Sequence, residues 1–134
     1  MPFASWIHFP TRGDKGGMLS VYQSGEHVPF DIRRVFTVSA GKGSIRGHHA
    51  HKACSQLLVS VHGRIRVTCS DDAKTEQFDL DDSGLGLLIP PGIWAKQEYM
   101  TDVAVLMVLC DRGYEESDYI RNYDEYVEYV RLLR

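Results

Sequence analysis

Three of the six histidines of this chain fall within four positions, in the stretch RGHHAHKACSQLLVSVHG from Arg46 to Gly63. An imidazole titrates close to neutral pH and offers a lone pair from one ring nitrogen and a proton from the other. A cluster of this kind can bind a transition metal, move protons on a carbon acid, or sit solvated on a strand. Extended backbone separates these readings in part. Side chains alternate along a strand, so His49 and His51 share one face about 7 Å apart, while His48, Ala50 and Lys52 share the other. Two imidazoles at that distance can act on one small ligand, and His48 becomes their solvated neighbour.

The surrounding chain supplies short strands to hold the pair. Alternating apolar and polar residues, bounded by Gly, Asp, Pro or Ser, predict strands at Met18–Tyr22, Phe30–Val38, Gln56–Val61, Arg64–Cys69, Thr75–Leu80, Gly86–Ile89 and Val103–Cys110. His62-Gly63, between two such runs, predicts a hairpin, and Asp71-Asp72 ends the second run in a turn. From Tyr119 the period lengthens. Ile120, Tyr123, Tyr126, Val127 and Val130 recur at three and four positions with acids between them, as in a helix laid on a barrel by one apolar face. The tyrosines of this segment are assigned to packing rather than chemistry. The expected fold class is all-β, a small barrel or sandwich of antiparallel strands with a C-terminal helix.

The 134 residues, 43% of them hydrophobic, suffice for one sizeable core and not for two, so a single domain over residues 1–134 is expected. A formal net charge of −3, with Lys and Arg dispersed in ones and twos, leaves no basic stripe for a nucleic-acid backbone. A phosphorylated small molecule stays within reach, because two or three converging cations can hold it. Cys54, Cys69 and Cys110 are odd in number and lack the paired spacing of a zinc site or a disulfide frame, so they read as buried free thiols in a reducing cytoplasm. No segment reaches membrane-spanning length, and Met1 to Pro10 lacks the pattern of a secretory leader. The expected location is cytoplasmic, with neither a membrane nor a nucleic-acid partner.

The spacing around the histidines resembles the cupins, small jelly-roll barrels. Their first motif runs glycine, five residues, His-x-His, three or four residues, glutamate, six residues, glycine. Gly43, His49, His51 and Gly63 occupy those positions, with Gln56 in place of the glutamate. Gly84, Pro90 and Gly92 match the second motif, and Ala95 stands where its histidine belongs. The resemblance implies a small cupin jelly-roll barrel with the pair at its mouth, where ligand sites of such barrels occur. A cupin metal is usually held by three histidines and a carboxylate. Two imidazoles, an amide and a methyl group make a poor substitute, which leaves the pair free for acid–base work and predicts neither metal nor other cofactor.

At finer grain, PFDIRRVF, RGHHAHK, LIPPGIWAK and YEESDYIRNYDEYV, in this order, are similar to the nucleotide-sugar 3,4-ketoisomerases, sugar-isomerising cupins that act on dTDP-4-keto-6-deoxyglucose. The resemblance implies a ketone moved from carbon 4 to carbon 3 through an enediol. An imidazole with a pKa near operating pH can take the carbon-3 proton and return it, and no redox cofactor is needed because the two ketones are isomers. In this reading His51 is the base at carbon 3 and His49 serves the enediol oxygens, although the two roles could be exchanged. Gln56 could orient an imidazole or hydrogen-bond a sugar hydroxyl; the alternative is a satisfied polar residue in a strand. Arg33 and Arg46 are candidates for the diphosphate, with surface solvation as the alternative. Trp94 offers a flat face for a sugar or base at the barrel mouth, unless it is core.

The family's members are homodimers that often exchange N-terminal strands. Met18 to Tyr22, following the glycine-rich Gly13 to Gly17, is compatible with that arrangement. The chain departs from its relatives at Phe36-Thr37, where they carry tyrosine, and at Asp14-Lys15-Gly16-Gly17, where they carry Asp-x-Arg-Gly. Three classes of function follow: the cofactor-free isomerase, a metal-dependent cupin enzyme such as a dioxygenase, and a non-catalytic sugar-nucleotide-binding module. Metal content separates the second from the others, and turnover separates the first from the third.

Overall fold

The computed structural model describes residues 2–134. Its strands are β1 (Ser5–His8), β2 (Thr11–Asp14), β3 (Gly17–Ser20), β4 (Arg34–Gly41), β5 (Ile45–His51), β6 (Gln56–His62), β7 (Ile65–Ser70), β8 (Thr75–Leu80), β9 (Leu85–Ile89), β10 (Trp94–Tyr99), β11 (Val103–Cys110) and β12 (Tyr119–Ile120), followed by helix α1 (Tyr123–Leu132). Two five-stranded antiparallel sheets, ordered β1-β9-β6-β11-β4 and β12-β5-β10-β7-β8, hold ten of the twelve strands, and β2 and β3 form a separate hairpin. This is the expected all-β architecture with one C-terminal helix.

Between the sheets lies the main apolar cluster, which includes Leu58, Ile65, Val67, Leu80, Leu87, Leu106 and Val108, all at most 2% exposed. β6 is buried along Gln56–Ser60 because its outer face is covered as well: Leu57, Val59 and Leu109 pack there with Phe9 and Val28. Burial on both faces explains why QLLVSV reads as a continuous apolar run rather than an alternating one. α1 covers the outer face of the second sheet, where Tyr126 and Val130 meet Ala50 and Ile120. The Tyr126 hydroxyl donates to Gly92 O at 2.7 Å and Ser70 O at 3.1 Å, pinning the helix to the connections beside β10 and β7. Asn122 caps the helix, its side-chain oxygen accepting the Glu125 N–H at 3.0 Å.

Several expectations are corrected. β6 and β7 do not pair. They lie in different sheets, so His62-Gly63 is a corner rather than a hairpin. Gly63 has φ +77, and a Cβ there would stand 2.3 Å from Thr101 Oγ1 and 2.7 Å from Val103 O, so the crossing demands glycine. The hairpin of this region is β7–β8, closed by Asp71, whose Oδ1 accepts the N–H groups of Ala73 and Lys74. The helix begins at Tyr123, because Tyr119 and Ile120 pair with His51 and Ala50 as β12. β1, β2 and β10 escaped the period-2 reading. Strand β4 starts at Arg34, with Phe30 and Ile32 instead packing over the β6–β11 surface. The glycine-rich Gly13 to Gly17 forms the tip of the β2–β3 hairpin, its turn formed by Lys15 and Gly16 at φ 50 and 80.

Candidate active site

β5 carries the histidines with an irregularity that strict alternation does not foresee. Ala95 pairs with His49 and Lys96 with Gly47, so His48 is an extra residue in a β-bulge, with φ 57 after Gly47 at φ 94. His48 is exposed there, as expected. The bulge also changes parity along the strand. Arg46 pairs with Gln97 and His49 with Ala95, so Arg46 comes onto the same face as His49 and His51.

His49 and His51 line one cleft between the sheets together with Gln56, Ala95 and Gln97. The cleft opens into a mouth of about 170 Å³ bordered by Arg34, Phe36, Arg46, Gln97, Tyr119 and Arg121. A larger groove of about 530 Å³ lies outside the barrel along α1, but it contains no imidazole. The two rings stand perpendicular with centroids 5.0 Å apart. Tyr119 packs against both, 5.1 Å from His49 and 4.4 Å from His51. Above Tyr119 lie Tyr114 and the Arg121 guanidinium, which forms a two-pronged contact with Glu116 at 2.7 and 2.9 Å.

His51 has a carboxylate partner. Its Nδ1–H donates to Asp118 Oδ2 at 2.8 Å, and the other carboxylate oxygen accepts the Ala53 N–H at 2.7 Å. The Lys52 N–H donates to Asp118 O at 2.8 Å, and the His51 carbonyl accepts from Gly92 N–H at 2.8 Å. Both residues are buried, at 8% exposure each. A carboxylate only accepts, so it fixes the proton on Nδ1 and leaves the lone pair on Nε2. That Nε2 and His49 Nδ1 are buried with no hydrogen-bond partner among the described residues.

Burial governs the titration of the pair. It pushes His49 down to about 4, assisted by the neighbouring His51. It also lowers His51, with the Asp118 hydrogen bond and charge pulling the other way. Burial alone would raise Asp118, but bonds from His51 and the Ala53 N–H outweigh it and hold the carboxyl below its usual value. Both imidazoles are therefore neutral near pH 7, and the Asp118 carboxylate eases protonation of His51 relative to His49.

The donor set at the cupin ligand positions does not fit a metal. Gln56 turns its amide nitrogen toward Cys110 Sγ at 3.6 Å, and Ala95 offers only a methyl opposite His49. Two imidazoles remain, with no anion among the four positions.

Of the sequence candidates, His49, His51, Gln56 and Arg46 meet at this cleft. Arg33 and Trp94 do not. Arg33 is exposed on the opposite face of its segment, and the neighbouring Arg34 turns inward, its guanidinium 4.6 Å from the Phe36 ring and 5.2 Å from Tyr114. Trp94 faces away from Ala95 and packs against Tyr123 and Tyr126 of α1 at 5.2 and 5.6 Å. Asp118, Tyr119, Arg34 and Arg121 were missed. Tyr119 belongs to a strand beside the histidines and not to the helix, so its packing is against the imidazoles.

A family profile described as FdtA, WxcM-like, C-terminal, matches residues 3–131. A TDP-4-oxo-6-deoxy-alpha-D-glucose-3,4-oxoisomerase from Aneurinibacillus thermoaerophilus is 35% identical over 128 residues, 95% of this chain and 92% of that protein. The sugar 3,4-ketoisomerase QdtA of Thermoanaerobacterium thermosaccharolyticum, solved with TDP, superposes with a TM-score of 0.93 at 33% identity, covering 97% of this chain and 96% of its own. A histidine-to-asparagine variant of QdtA, solved with TDP-4-keto-6-deoxyglucose, gives 0.94 at 32% identity over 98% and 96% of the two chains. The barrel, the histidine pair at its mouth and a match that runs nearly end to end place this chain in the FdtA family of WxcM-like proteins, among relatives that are sugar 3,4-ketoisomerases.

Proposed function

We propose that this chain is a nucleotide-sugar 3,4-ketoisomerase that converts TDP-4-keto-6-deoxyglucose to the 3-keto sugar by histidine acid–base chemistry. One observation carries the reading: a buried imidazole, His51, is fixed through Nδ1 by Asp118 at 2.8 Å and keeps an unpartnered Nε2 in the cleft it shares with His49. The relatives' substrates give the carbonyl compound on which such a base would act.

His51 Nε2 takes the proton from carbon 3. The C3–H electron pair becomes the C3–C4 double bond, and the carbon-4 carbonyl oxygen becomes an enediol oxygen. The imidazolium that forms is stabilised by the Asp118 carboxylate, which stays ionised. His49, neutral and unpartnered at Nδ1, can accept a proton from one enediol oxygen and deliver one to the other. The His51 imidazolium then returns its proton to carbon 4 as the O3 proton leaves to His49, which leaves the ketone at carbon 3 and His51 neutral again. Carbon 3 is oxidised and carbon 4 reduced by the same two electrons, so the balance needs no external oxidant or reductant. Tyr119 holds both rings in place as one wall of the cleft.

Arg34 and Arg46 are the groups assigned to the diphosphate. Both border the mouth, and neither makes an ion pair among the described residues. The same reading takes residues 1–134 as one domain and the working form as a cytoplasmic homodimer. Met18 and Leu19 of the β2–β3 hairpin, 65% and 60% exposed, supply apolar surface for a second copy.

Proton NMR of TDP-4-keto-6-deoxyglucose with the protein in heavy water tests the activity. Deuterium should enter at carbon 3 of the recovered substrate and at carbon 4 of the 3-keto product that accumulates, and spectra of the product formed in ordinary water give the configuration at carbon 4. A protein that binds TDP yet leaves carbon 3 unexchanged is a binding module, and the proposal fails.

A further inference from the structure

His51 also belongs to a donor cluster whose other two members, Cys54 and Asp118, are not cupin ligand positions. A ring nitrogen of His51, the Cys54 thiol and a carboxylate oxygen of Asp118 lie within 4.8 Å of one another. The three residues are 8%, 5% and 8% exposed. Tetrahedral zinc holds nitrogen, oxygen and sulfur donors at about 2.0–2.3 Å, which sets neighbouring donors about 3.3–3.6 Å apart, so the cluster needs only a modest contraction to enclose the ion. Imidazole and thiolate are donors zinc prefers, and one thiolate with one carboxylate neutralises its two charges in a buried place.

Two further observations point the same way. The ring nitrogen on the Asp118 side is Nδ1, 2.8 Å from Asp118 Oδ2, and it can be freed for an ion by moving its proton to the buried, unpartnered Nε2. The cluster is also assembled by backbone bonds. Ala53 N–H and Lys52 N–H both donate to Asp118, which straps the segment leading to Cys54 against the 3-10 turn Glu116–Asp118. Three donors from two distant parts of the chain are thus brought together before any ion arrives, and little ordering entropy is left to lose on binding.

We propose that His51, Cys54 and Asp118 form an inhibitory site for a thiophilic divalent cation, Zn²⁺ in the first instance, which stops isomerisation by capturing the base and the carboxylate that orients it. Water completes the coordination from the cleft side. The inhibitory half of this proposal rests on the reading of His51 as the base; the binding half does not.

The test uses the full chain, stripped with EDTA and desalted. Co²⁺ serves as a spectroscopic stand-in for zinc. Titrated with Co²⁺, the protein should develop a thiolate-to-cobalt charge-transfer band in the near ultraviolet. Cys54→Ser should lose that band and Cys69→Ser should keep it; Cys54→Ala, which keeps the apolar packing, checks that the loss reflects the missing thiolate. In parallel, Zn²⁺ should inhibit isomerisation reversibly, with EDTA restoring the rate. Each Cys54 variant, measured against its own uninhibited turnover, should need at least about tenfold more zinc for the same inhibition. Absence of the cobalt band, or its survival in both Cys54 variants, overturns the site. A band that depends on Cys54 with no zinc inhibition of a working isomerase overturns the inhibitory half. If the stripped protein does not isomerise at all, the proposed function falls, and the cobalt spectra still decide the site.

Discussion

Replacing Asp118 by asparagine alters one hydrogen bond and leaves the volume of the site almost unchanged. The carboxylate faces two donors, His51 Nδ1–H at 2.8 Å and Ala53 N–H at 2.7 Å. An amide at this position can satisfy the backbone N–H only with its oxygen, which turns its NH₂ group toward His51. Nδ1 must then accept, the ring proton moves to Nε2, and the lone pair facing the substrate is lost. A charge-assisted hydrogen bond to a buried partner is worth about 1.5–3 kcal/mol, which sets a floor of roughly 10- to 100-fold in rate. The inverted tautomer takes the loss toward about 10⁴-fold, the size seen when the aspartate of a Ser-His-Asp triad becomes asparagine. Asp118 also raises the His51 pKa against the lowering effect of burial. Whatever rate remains in Asp118→Asn should therefore show its acid limb at lower pH than wild type. The assay is deuterium incorporation at carbon 3 followed across pH, with TDP affinity measured by calorimetry to confirm an intact mouth. Exchange within about twofold of wild type, or a large rate loss with an unmoved acid limb, would refute the orienting role.

Four further outcomes follow from the same geometry. His51→Asn should lower carbon-3 exchange by about 100- to 10,000-fold while His49→Asn retains some exchange; His48→Asn, in an exposed bulge position whose positive φ asparagine tolerates, should be near neutral, and equal damage from His48→Asn and His51→Asn in the NMR assay would put the wrong face inward. Exhaustive EDTA treatment should leave turnover intact, and restoration of a lost rate by added zinc, manganese or iron would contradict the metal-free mechanism. Calorimetry with TDP should find Arg34→Ala weakened by about tenfold, Arg46→Ala weakened with a smaller salt dependence, and Arg33→Ala unchanged; equal effects at Arg33 and Arg34 would remove the distinction between the two faces. Tyr126→Phe strands the carbonyls of Gly92 and Ser70 and should cost about 1–3 kcal/mol in thermal or urea unfolding with little change in turnover.

Period-2 patterning made the sheets legible wherever one face meets the core and the other meets water. β7 and β8 lie close to the boundaries read from alternation for that reason. β10 escaped because its sequence, WAKQEY, places a small residue, a glutamine and a tyrosine on its inner face. A strand that lines a ligand cleft needs room and polarity there, so the feature that makes it functional erases its apolar signal. β1 and β2 escaped because they are short and largely exposed, with packing on one neighbour alone. The His62-Gly63 corner reads as a hairpin for a different reason: a glycine at positive φ serves a tight turn and a crossing between sheets equally well. Only the crowding by Thr101 and Val103, some forty residues later in sequence, separates the two.

The site divides along the same line between local and distant information. His49 and His51 are two residues apart on one strand, so their common face is a local property and alternation finds it. Arg46 shares that face only because His48 is taken up by the bulge, which depends on Gly47 at φ 94 and on the register of β10. Asp118 lies 67 positions from His51, in a segment rich in acids, and its sequence context does not distinguish it from the solvated Glu115 or Glu116. What distinguishes it is β12. Pairing Tyr119 with His51 and Ile120 with Ala50 sets the preceding residue beneath the imidazole and turns the Tyr119 ring onto both histidines. Two residues of strand between a 3-10 turn and a helix are too short to carry a period of their own. The heptad-like spacing of Ile120, Tyr123, Val127 and Val130 absorbs them into the helix by pattern, although Ile120 reaches the same apolar cluster from the sheet. His51 was therefore visible in the sequence and its carboxylate partner was not, because the first depends on one strand's geometry and the second on where the end of the chain docks.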